Sequence, residues 1–335
     1  RTKFSLNLAI DYITIFVNKE TDGGPSGGKI MATIANGVWP TMITPYTEDN
    51  KVDYDAVLRI IEWYDRQGVD GIFAVCQSSE MFFLSREERL ELARFVVENT
   101  PKHIGVIASG HVADNVQDQA EEAKAIIDTG IASYVFISNQ FAGEDQGDDV
   151  FRRNVEYLID QIPGDSFGIY ECPYPYKRLV SPDNLKWCAD TGRFTFLKDT
   201  CCDLKQLQEK VDAVKGTNLK IFNANSATIL ESLKMGCAGF SGVMANFHSD
   251  LYVWLCRNFD KDQEKAQLVQ DFLGLASVIE RQCYPVNAKY HMNLEGVKMN
   301  IFSRSKDMAE FTSAGRLEVE ELHRLYLYLR STLLG

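Results

Sequence analysis

Residues 194–198 read Phe-Thr-Phe-Leu-Lys, a nearly continuous apolar run that ends in a lysine. Similar runs lie on either side of it along the chain, with Phe-Gly-Ile-Tyr at residues 167–170 and Leu-Lys-Ile-Phe at residues 219–222. Apolar residues in succession, without polar alternation, are typical of strands buried on both faces of a parallel sheet. We therefore predict a buried strand that presents Lys198 at its carboxyl end.

The same pattern extends outward over most of the chain. Five further apolar runs lie at residues 37–44, 71–75, 104–108, 132–138 and 238–243. Amphipathic stretches separate the runs at residues 53–67, 85–98, 115–129, 149–161, 181–191, 204–214 and 226–235. Eight strands alternating with helices indicate a closed barrel or a doubly wound sheet. The barrel is favoured because no G-x-G-x-x-G motif follows the first run.

The predicted fold is thus α/β, a (β/α)8 TIM barrel with a C-terminal helical appendage. A chain of 335 residues suits one such barrel. We assign residues 31–250 to the barrel and residues 251–335 to C-terminal helices, since the strand-like runs stop near Ser249. Residues 1–30 are expected to be a tag or flexible N-terminal extension, because residues 21–29 (TDGGPSGGK) are typical of a linker and no signal-peptide pattern precedes them.

Composition and charge narrow the possible partners. The net charge is −12 and no Lys/Arg cluster stands out, so we expect no nucleic-acid partner. The apolar stretch at residues 6–17 is too short to span a membrane, and no membrane partner is expected. The eight cysteines form no C-x-x-C pair. We expect free thiols, a cytoplasmic location, and neither a metal nor a cofactor.

Lys198 is the strongest chemical signal in the sequence. Active sites of such barrels lie at the carboxyl ends of the strands. Burial there lowers the pKa of a lysine, and a neutral amine attacks a ketone to give an imine. The protonated imine is an electron sink that allows C–C cleavage or loss of water beside the former carbonyl. An ion pair with Asp199 or another buried carboxylate fits the position of Lys198 equally well.

Two neighbouring segments favour the catalytic interpretation. Tyr170 ends the preceding apolar run, and a phenol there is suited to relaying protons. Ser78 and Ser79 follow the 71–75 run, where their hydroxyl and N–H groups are suited to holding a carboxylate at a helix N-terminus. Ordinary roles, as a core or rim tyrosine for Tyr170 and as helix caps for the serines, remain the alternatives.

The chain resembles the dihydrodipicolinate synthase / N-acetylneuraminate lyase family of class I, Schiff-base aldolases. The resemblance covers about residues 37–330 and is carried by GVWPTMITP (37–45), CQSSEMFFLSREER (76–89), GCAGFSGVMAN (236–246) and the 28-residue spacing from Tyr170 to Lys198. It implies that Lys198 forms the Schiff base, that Tyr170 is the catalytic tyrosine and that Ser78 replaces a hydroxyl residue of a proton relay. It also implies a homotetramer or homodimer, and substrate contacts from Gln77, Ser79, Ser241, Gly242 and Phe141.

The chain departs from the family pattern in two loops. Two glycines of the family's strand-two loop are replaced by Cys76 and Ser79. True dihydrodipicolinate synthases end the fourth strand in a tyrosine pair that lends a hydroxyl to the neighbouring subunit, and here the pair is Gln140–Phe141. Phe141 has no hydroxyl, so the resemblance does not supply that relay.

A third departure bears on the second substrate. The family's arginine after the catalytic tyrosine falls at Pro175, with Lys177 and Arg178 as nearby candidates to replace it. We therefore expect a lyase, aldolase or dehydratase, that acts on pyruvate or a 2-oxo-3-deoxy sugar acid. A true dihydrodipicolinate synthase and a non-catalytic 2-oxo acid binding barrel are the alternatives.

A metal-dependent barrel is a further alternative. His111 and His248 follow the third and eighth runs, at the predicted catalytic end. Two histidines without a patterned carboxylate make a poor metal site. We expect His111 or His248 to line the pocket or its rim instead.

Overall fold

The structure is a computed structural model that describes residues 34–164 and 166–333. The predicted N-terminal extension, residues 1–30, lies outside the described residues. Eight parallel strands form the predicted barrel. They are β1 (Gly37–Val38), β2 (Gly71–Phe73), β3 (Gly105–Ala108), β4 (Ser133–Ile137), β5 (Phe167–Tyr170), β6 (Phe194–Asp199), β7 (Lys220–Asn223) and β8 (Gly239–Phe240).

The ring of strands closes beside β1. In hydrogen-bonded order the strands run β1, β8, β7, β6, β5, β4, β3, β2, and every pairing is parallel. A parallel bridge between Thr41 and Phe73 joins the chain after β1 to β2. Parallel strands place all their carboxyl ends, including that of β6, at one end of the barrel.

Helices surround the strands. They are α1 (Tyr54–Gln67), α2 (Arg86–Asn99), α3 (Val116–Ile127), α4 (Asp148–Gln161), α5 (Pro182–Asp190), α6 (Leu204–Ala213), α7 (Ile229–Met235), α8 (Ser249–Asn258), α9 (Gln263–Ala276), α10 (Val286–Leu294) and α11 (Ser313–Leu333). Helix α8 packs beside β1 and α1 and completes the outer ring, so the appendage consists of α9 to α11. Within the described ranges, no helix has the length and apolar character needed to cross a membrane.

Side chains define where the helices begin. Asp53 accepts a hydrogen bond from the Ala56 amide (3.0 Å) at the start of α1. Ser85 and Glu88 form a reciprocal capping box at the start of α2, with distances of 2.9 and 3.1 Å. These bonds satisfy amide groups that have no partner inside the helix. The loop after β2 is thereby held between a buried strand and a capped helix.

Trp39 fills the interior of the barrel. Its side chain is buried, and its ring packs edge-on against Phe196 and Phe222 at centroid distances of 6.0 and 6.1 Å. The ring occupies space that a side chain on β2 or β3 would need. A Cβ atom at Gly71 would lie 2.1 Å from the indole ring, and one at Gly105 would lie 2.6 Å from it.

We predict that Gly71→Ala lowers the free energy of unfolding by about 1–3 kcal/mol, because the new methyl group overlaps the Trp39 ring. The matched control is Gly274→Ala in α9, where a Cβ atom would meet its nearest neighbour at 3.4 Å. This control should be neutral or gain about 0.5–1 kcal/mol of helix stability. Urea denaturation of the three proteins measures both effects. Equal stability of Gly71→Ala and the parent would contradict the packing of Trp39 against β2.

Candidate active site

Lys198 and Tyr170 lie side by side at the carboxyl ends of β6 and β5. The two residues are partners in the parallel register of these strands. The Lys198 Nζ atom lies 4.2 Å from the centroid of the Tyr170 ring, and the side chain is 3% exposed. Burial lowers the pKa of Lys198 to about 8. A substantial fraction of the amine is therefore neutral near physiological pH.

Asp199 does not pair with Lys198. Successive side chains of a strand point to opposite faces, and the Asp199 carboxylate accepts a bond from Lys210 of α6 at 2.6 Å. Among the ion pairs of the described residues, none involves Lys198. The structure therefore favours an unpaired amine over the structural ion pair that the sequence left open.

A buried ion cluster supports the ends of β5 and β6 from outside the barrel. Glu171 accepts bonds from Lys210 and from the amides of Val180 (2.9 Å) and Thr200 (2.8 Å). Burial, together with the neighbouring Asp199 carboxylate, raises the pKa of Glu171 to about 7. Burial lowers the pKa of Lys210, but the two carboxylates outweigh it and the net shift is upward. The cluster thus holds an ammonium between two carboxylates.

Gln77 is the hydrogen-bond partner of Tyr170. The Tyr170 hydroxyl donates to Gln77 Oε1 at 3.1 Å, and the Cys172 thiol lies 3.5 Å from the same oxygen. The resemblance had implied that Ser78 belongs to the tyrosine's proton relay, but the contact in the structure is with Gln77. Burial raises the pKa of Tyr170 well above its ordinary value, so the phenol stays protonated.

The two serines of the strand-two loop have different surroundings. Ser78 donates a hydrogen bond to Thr41 Oγ1 at 3.0 Å. The Ser79 hydroxyl donates to the carbonyl of Cys76 (2.7 Å) and accepts from its amide (2.6 Å). Thr44 donates to the Ser79 carbonyl at 2.8 Å. Ser79 therefore braces the loop with its hydroxyl, and its predicted contact with substrate remains a prediction.

Ser241 and Gly242 follow β8. The Ser241 hydroxyl donates to the Trp39 carbonyl at 2.9 Å, which joins β8 to β1. A Cβ atom at Gly242 would lie 2.7 Å from the Ala224 carbonyl oxygen and 2.4 Å from the Phe240 ring. Close packing thus requires glycine at this position. Substrate contacts from these two residues also remain predictions.

Phe141 lies in an aromatic cluster and not beside Lys198. It is fully buried, with ring centroids 5.3 Å from His111, 5.3 Å from Phe136 and 5.0 Å from Phe151 of α4. This placement, between β4 and the outer helices, gives no support to the predicted substrate contact. Phe141 instead extends the barrel's apolar packing outward.

The expectation that His111 lines the pocket is wrong. Its side chain is fully buried, with Nε2 2.9 Å from the Gln119 side-chain oxygen. Its Nδ1 atom accepts a bond from the Ile137 amide at 3.1 Å. Burial lowers the pKa of His111 to about 4. Both ring nitrogens are thus engaged in the core, as a neutral imidazole permits.

The same expectation is wrong for His248. It is fully buried beside Tyr326, Phe272 and His291, at centroid distances of 4.8, 5.2 and 5.4 Å. Burial lowers its pKa to about 3. The start of α8 turns this ring toward the appendage. In the part of the chain that the structure describes, no three His, Cys, Asp or Glu side chains converge as metal ligands.

Lys177 and Arg178 are both engaged outside the pocket. Lys177 donates to the Thr200 carbonyl. Arg178 donates to the carbonyls of Gly143 (3.2 Å) and Gln146 (3.0 Å) and pairs with Asp148 at 3.3 Å. Neither contact supports a role in replacing the family's carboxylate-binding arginine.

Sequence reasoning missed a buried pair that anchors the strand-two loop. Glu80 forms an ion pair with Lys289 of α10 at 3.3 Å and accepts bonds from the amides of Arg304 (2.7 Å) and Ser305 (2.8 Å). Burial lowers the pKa of Lys289 to about 8. The pair joins residues that are 209 positions apart, a contact that no local pattern indicates.

Tyr284, between α9 and α10, is the second group that the sequence did not reveal. Asn246 Nδ2 donates to the Tyr284 hydroxyl at 3.1 Å, and burial raises the pKa of this phenol above its ordinary value. The nearby Glu280 carboxylate interacts electrostatically with Lys198. Both groups come from the segment between α9 and α10, and not from the ends of strands, where barrel active-site residues are expected.

Comparisons with known proteins agree with this architecture. A model of the Dihydrodipicolinate synthetase family matches residues 35–324. A 4-hydroxy-tetrahydrodipicolinate synthase of Clostridium perfringens is 26% identical over 255 residues, which cover 76% of this chain and 86% of that protein. One from Haloarcula marismortui is 23% identical over 264 residues, covering 78% of this chain and 84% of that protein.

Solved structures show the same fold. YagE, a prophage protein of E. coli K12 solved in complex with pyruvate, aligns with a TM-score of 0.77 at 20% identity, covering 88% of this chain and 98% of its own. CdNal from Clostridium difficile, solved in complex with mannosamine, aligns with a TM-score of 0.77 at 17% identity, covering 87% of this chain and 99% of its own. At these identities the likeness concerns the fold.

We predict that Lys210→Met lowers the free energy of unfolding by about 3–5 kcal/mol at pH 7, because it leaves two buried carboxylates without a cation. The loss should shrink toward pH 5, where protonated carboxyl groups need no counter-charge. The matched control is Lys186→Met, which removes an exposed pair with Asp190 on α5 and should cost less than about 1 kcal/mol. Urea denaturation between pH 5 and 8 measures both.

In the parent protein, the contribution of the buried ion cluster to stability should depend on pH in the same direction, but more weakly. The pKa of Glu171 is raised from 4.5 to about 7, so the folded state keeps a proton that the unfolded chain releases. This group therefore lowers stability as pH rises through that window. A Lys210→Met variant with the same loss at pH 5 and pH 8 would contradict the cluster's role.

Proposed function

This chain belongs to the Dihydrodipicolinate synthetase family, and from this membership we propose that it is a Schiff-base-forming lyase with Lys198 as its nucleophile. The substrate is pyruvate or a 2-oxo-3-deoxy sugar acid, and the reaction is that of an aldolase or a dehydratase. The observation that carries the proposal is the buried Lys198 amine, which has a lowered pKa, no paired carboxylate and a tyrosine ring beside it.

The chemistry follows from this arrangement. The neutral Nζ adds to the ketone carbon, and the carbonyl electron pair moves to oxygen. The oxygen takes up one proton and the nitrogen releases one, which gives a neutral carbinolamine. A second proton converts its hydroxyl to water, which leaves as the nitrogen lone pair forms the C=N⁺ bond. This iminium then accepts the electron pair of the bond that breaks beside it.

The loop after β2 is the proposed carboxylate site. Ser78 faces the same mouth as Tyr170, whose hydroxyl is held by the adjacent Gln77. The complex of a structural relative with pyruvate supports a 2-oxo acid as ligand. We infer a cytoplasmic enzyme that forms a homotetramer or homodimer, in line with the family resemblance.

The sugar-acid substrate is favoured over the aldehyde used by true dihydrodipicolinate synthases. The buried Phe141 offers no hydroxyl, and the Arg178 guanidinium is occupied by the loop before α4. The names of the relatives favour 4-hydroxy-tetrahydrodipicolinate synthase as the second candidate. A barrel that binds a 2-oxo acid without turnover would form the same imine. Turnover assays distinguish this alternative from an enzyme.

We predict that pyruvate followed by borohydride labels Lys198, because the imine is reduced to a stable amine. The initial rate of labelling should rise with pH through about 8, the pKa of the buried amine, and not near 10.5 as for an ordinary lysine. Mass spectrometry of the digested protein locates and counts the adduct. Lys198→Ala should abolish it.

Lys289 provides a matched control in the same digest. Its pKa is also lowered to about 8 by burial, but its amine is paired with Glu80 and bonded to the Phe302 carbonyl. It should remain unlabelled. If Lys198 remains unmodified after treatment with borohydride and either pyruvate or a panel of other 2-oxo acids, the proposed function is contradicted.

A further inference from the structure

Three histidines from three different helices meet at the C-terminal appendage. His248 is the residue before α8, His291 lies in α10 and His323 lies in α11. The ring centroids of His248 and His291 are 5.4 Å apart, and those of His291 and His323 are 5.2 Å apart. We refer to these three residues as the histidine cluster. They take no part in the chemistry proposed for Lys198.

The inner rings of the cluster, those of His248 and His291, have unsatisfied nitrogens. Both side chains are fully buried. Among the residues that the structure describes, no group forms a hydrogen bond with either nitrogen of either ring. Aromatic rings pack around them, with Phe247 5.1 Å from His291 and Tyr326 4.8 Å from His248 between centroids. Buried polar atoms without a partner are uncommon in folded proteins, so the two rings call for an explanation beyond packing.

The outer ring of the cluster, that of His323, faces both a carboxylate and a guanidinium. From the end of α10, Glu295 Oε1 lies 3.3 Å from His323 Nδ1. From α11, the positive charge of Arg324 acts on the same ring in the opposite sense. His323 is only partly buried, so a proton on this ring is shared between a carboxylate and solvent.

The remaining neighbours of the cluster do not supply a counter-charge to the inner rings. The Asp250 carboxylate of α8 accepts a bond from the Tyr326 hydroxyl at 2.9 Å and pairs with Arg330 at 2.8 Å. Helix α9 contributes the apolar ring of Phe272, 5.2 Å from that of His248. A positive charge on either inner ring would therefore have no carboxylate in contact with it among the described residues.

The folded state holds the inner rings in their neutral form. Burial lowers the pKa of His248 to about 3, and burial together with the two neighbouring histidines lowers the pKa of His291 well below its ordinary value. A histidine in an unfolded segment takes up a proton below about pH 6.5. The inner rings therefore stabilise the docked helices above that pH, and this contribution is lost as the pH falls below it.

Helix α10 connects the histidine cluster to the strand-two loop. Lys289 and His291 are two residues apart, which places their side chains about 200° apart around the helix. On one side Lys289 pairs with Glu80 of the loop at 3.3 Å, and on the other side His291 contacts the cluster. The Glu80 backbone is left-handed, with φ of 62°, a conformation that is unfavourable for residues other than glycine. The loop therefore depends on a docked α10 to keep its shape.

We propose that the histidine cluster is an acid-sensitive latch that holds α10 and α11 against α8 and, through α10, supports the strand-two loop. The inner rings can bind protons only when water reaches them. Because the three rings belong to three helices, hydration of the cluster separates these helices. Release of α10 withdraws Lys289 from Glu80, and the loop that carries Ser78 loses its support.

Amide hydrogen exchange of the full chain, read by mass spectrometry from pH 5 to 8, tests the latch without a substrate. The measurement is local because Glu171 changes the stability of the whole protein in the opposite direction over part of this range. After correction for the intrinsic effect of pH on exchange, the opening constant of α10 and α11 should exceed that of β5 and β6 at acid pH. Below pH 6 it should rise by about a hundredfold per pH unit, tenfold for each inner ring.

His291→Phe removes one titrating ring and keeps an aromatic side chain. It should reduce the rise to about tenfold per pH unit, and His248→Phe should do the same. The matched control is His103→Gln, because His103 is exposed and pairs with Asp65 of α1 at 2.9 Å. This control should keep the pH dependence of the parent. If neither Phe variant folds, the pH dependence of the parent protein and of the control decides.

Three results would overturn the latch. One is an opening constant of α10 and α11 that does not change between pH 5 and 6.5. Another is an opening constant equal to that of β5 and β6 at every pH, since the helices would then leave only when the whole protein unfolds. The third is a His291→Phe protein that folds and keeps the full pH dependence of the parent.

Trapping of pyruvate on Lys198 by borohydride tests the coupling to the loop, and this readout rests on the proposed function. The parent and His291→Phe are compared at the same pH, so protonation of the Lys198 amine affects both equally. Where half of the parent molecules are open, the parent should need about twofold more pyruvate for half-maximal trapping than the variant. At pH 8 the two should agree, and equal values at both pH values overturn the coupling. If the parent traps no 2-oxo acid, the proposed function fails, while the exchange measurement still decides the latch.

Discussion

The alternation of side chains along β6 is the constraint on which the site depends. Lys198 points into the mouth of the barrel and Asp199 points outward, where Lys210 binds it together with Glu171. A shift of one residue in the register of β6 would exchange the two side chains and destroy both arrangements. The outer ion cluster and the inner amine are therefore two results of the same strand geometry. The outer ion cluster joins the ends of β5 and β6 to α6, and the Lys198 amine remains unpaired.

The two buried lysines show why a lowered pKa alone does not make a nucleophile. Burial lowers the pKa of Lys198 and of Lys289 to about 8 in each case. Lys289 contacts Glu80 and a carbonyl oxygen, which hold its hydrogens and fix its orientation. Lys198 lies over the Tyr170 ring and has no hydrogen-bond or ion-pair partner among the described residues, which leaves its amine available to a ligand. Local contacts thus distinguish the engaged amine of Lys289 from the available amine of Lys198.

The sequence predicted the order and number of strands because hydrophobic periodicity is a local property. It also brought Lys198 and Tyr170 together, since both end neighbouring parallel strands. Position after a strand misled the interpretation of His111 and His248, because a side chain at that level can point outward into the helical layer. The direction of a side chain depends on register and on packing, which one sequence does not reveal.

Other contacts could not be predicted for a different reason. The bond from Tyr170 to Gln77 joins residues 93 positions apart, and the bond between Asn246 and Tyr284 joins a barrel loop to the appendage. Such contacts depend on how α9 and α10 fold back over the barrel. Gln77 lies in a loop that the resemblance singled out. Whether Gln77 or Ser78 bonds Tyr170 depends on the conformation of that loop, which the sequence does not show.

Thr41 takes part both in the closure of the barrel and in the hydrogen bonding of Ser78. The ring is joined between β1 and β2 by the Thr41–Phe73 bridge and a few backbone bonds, two of which link Phe73 to Pro40 (2.9 Å) and Met42 (3.0 Å). A short seam of this kind opens at a lower local free energy than a long ladder. Thr41 contributes its backbone to the seam and its hydroxyl to the group around Ser78. Local opening of the barrel at this seam would therefore disturb the hydroxyl contact between Thr41 and Ser78 at the carboxyl end of the barrel.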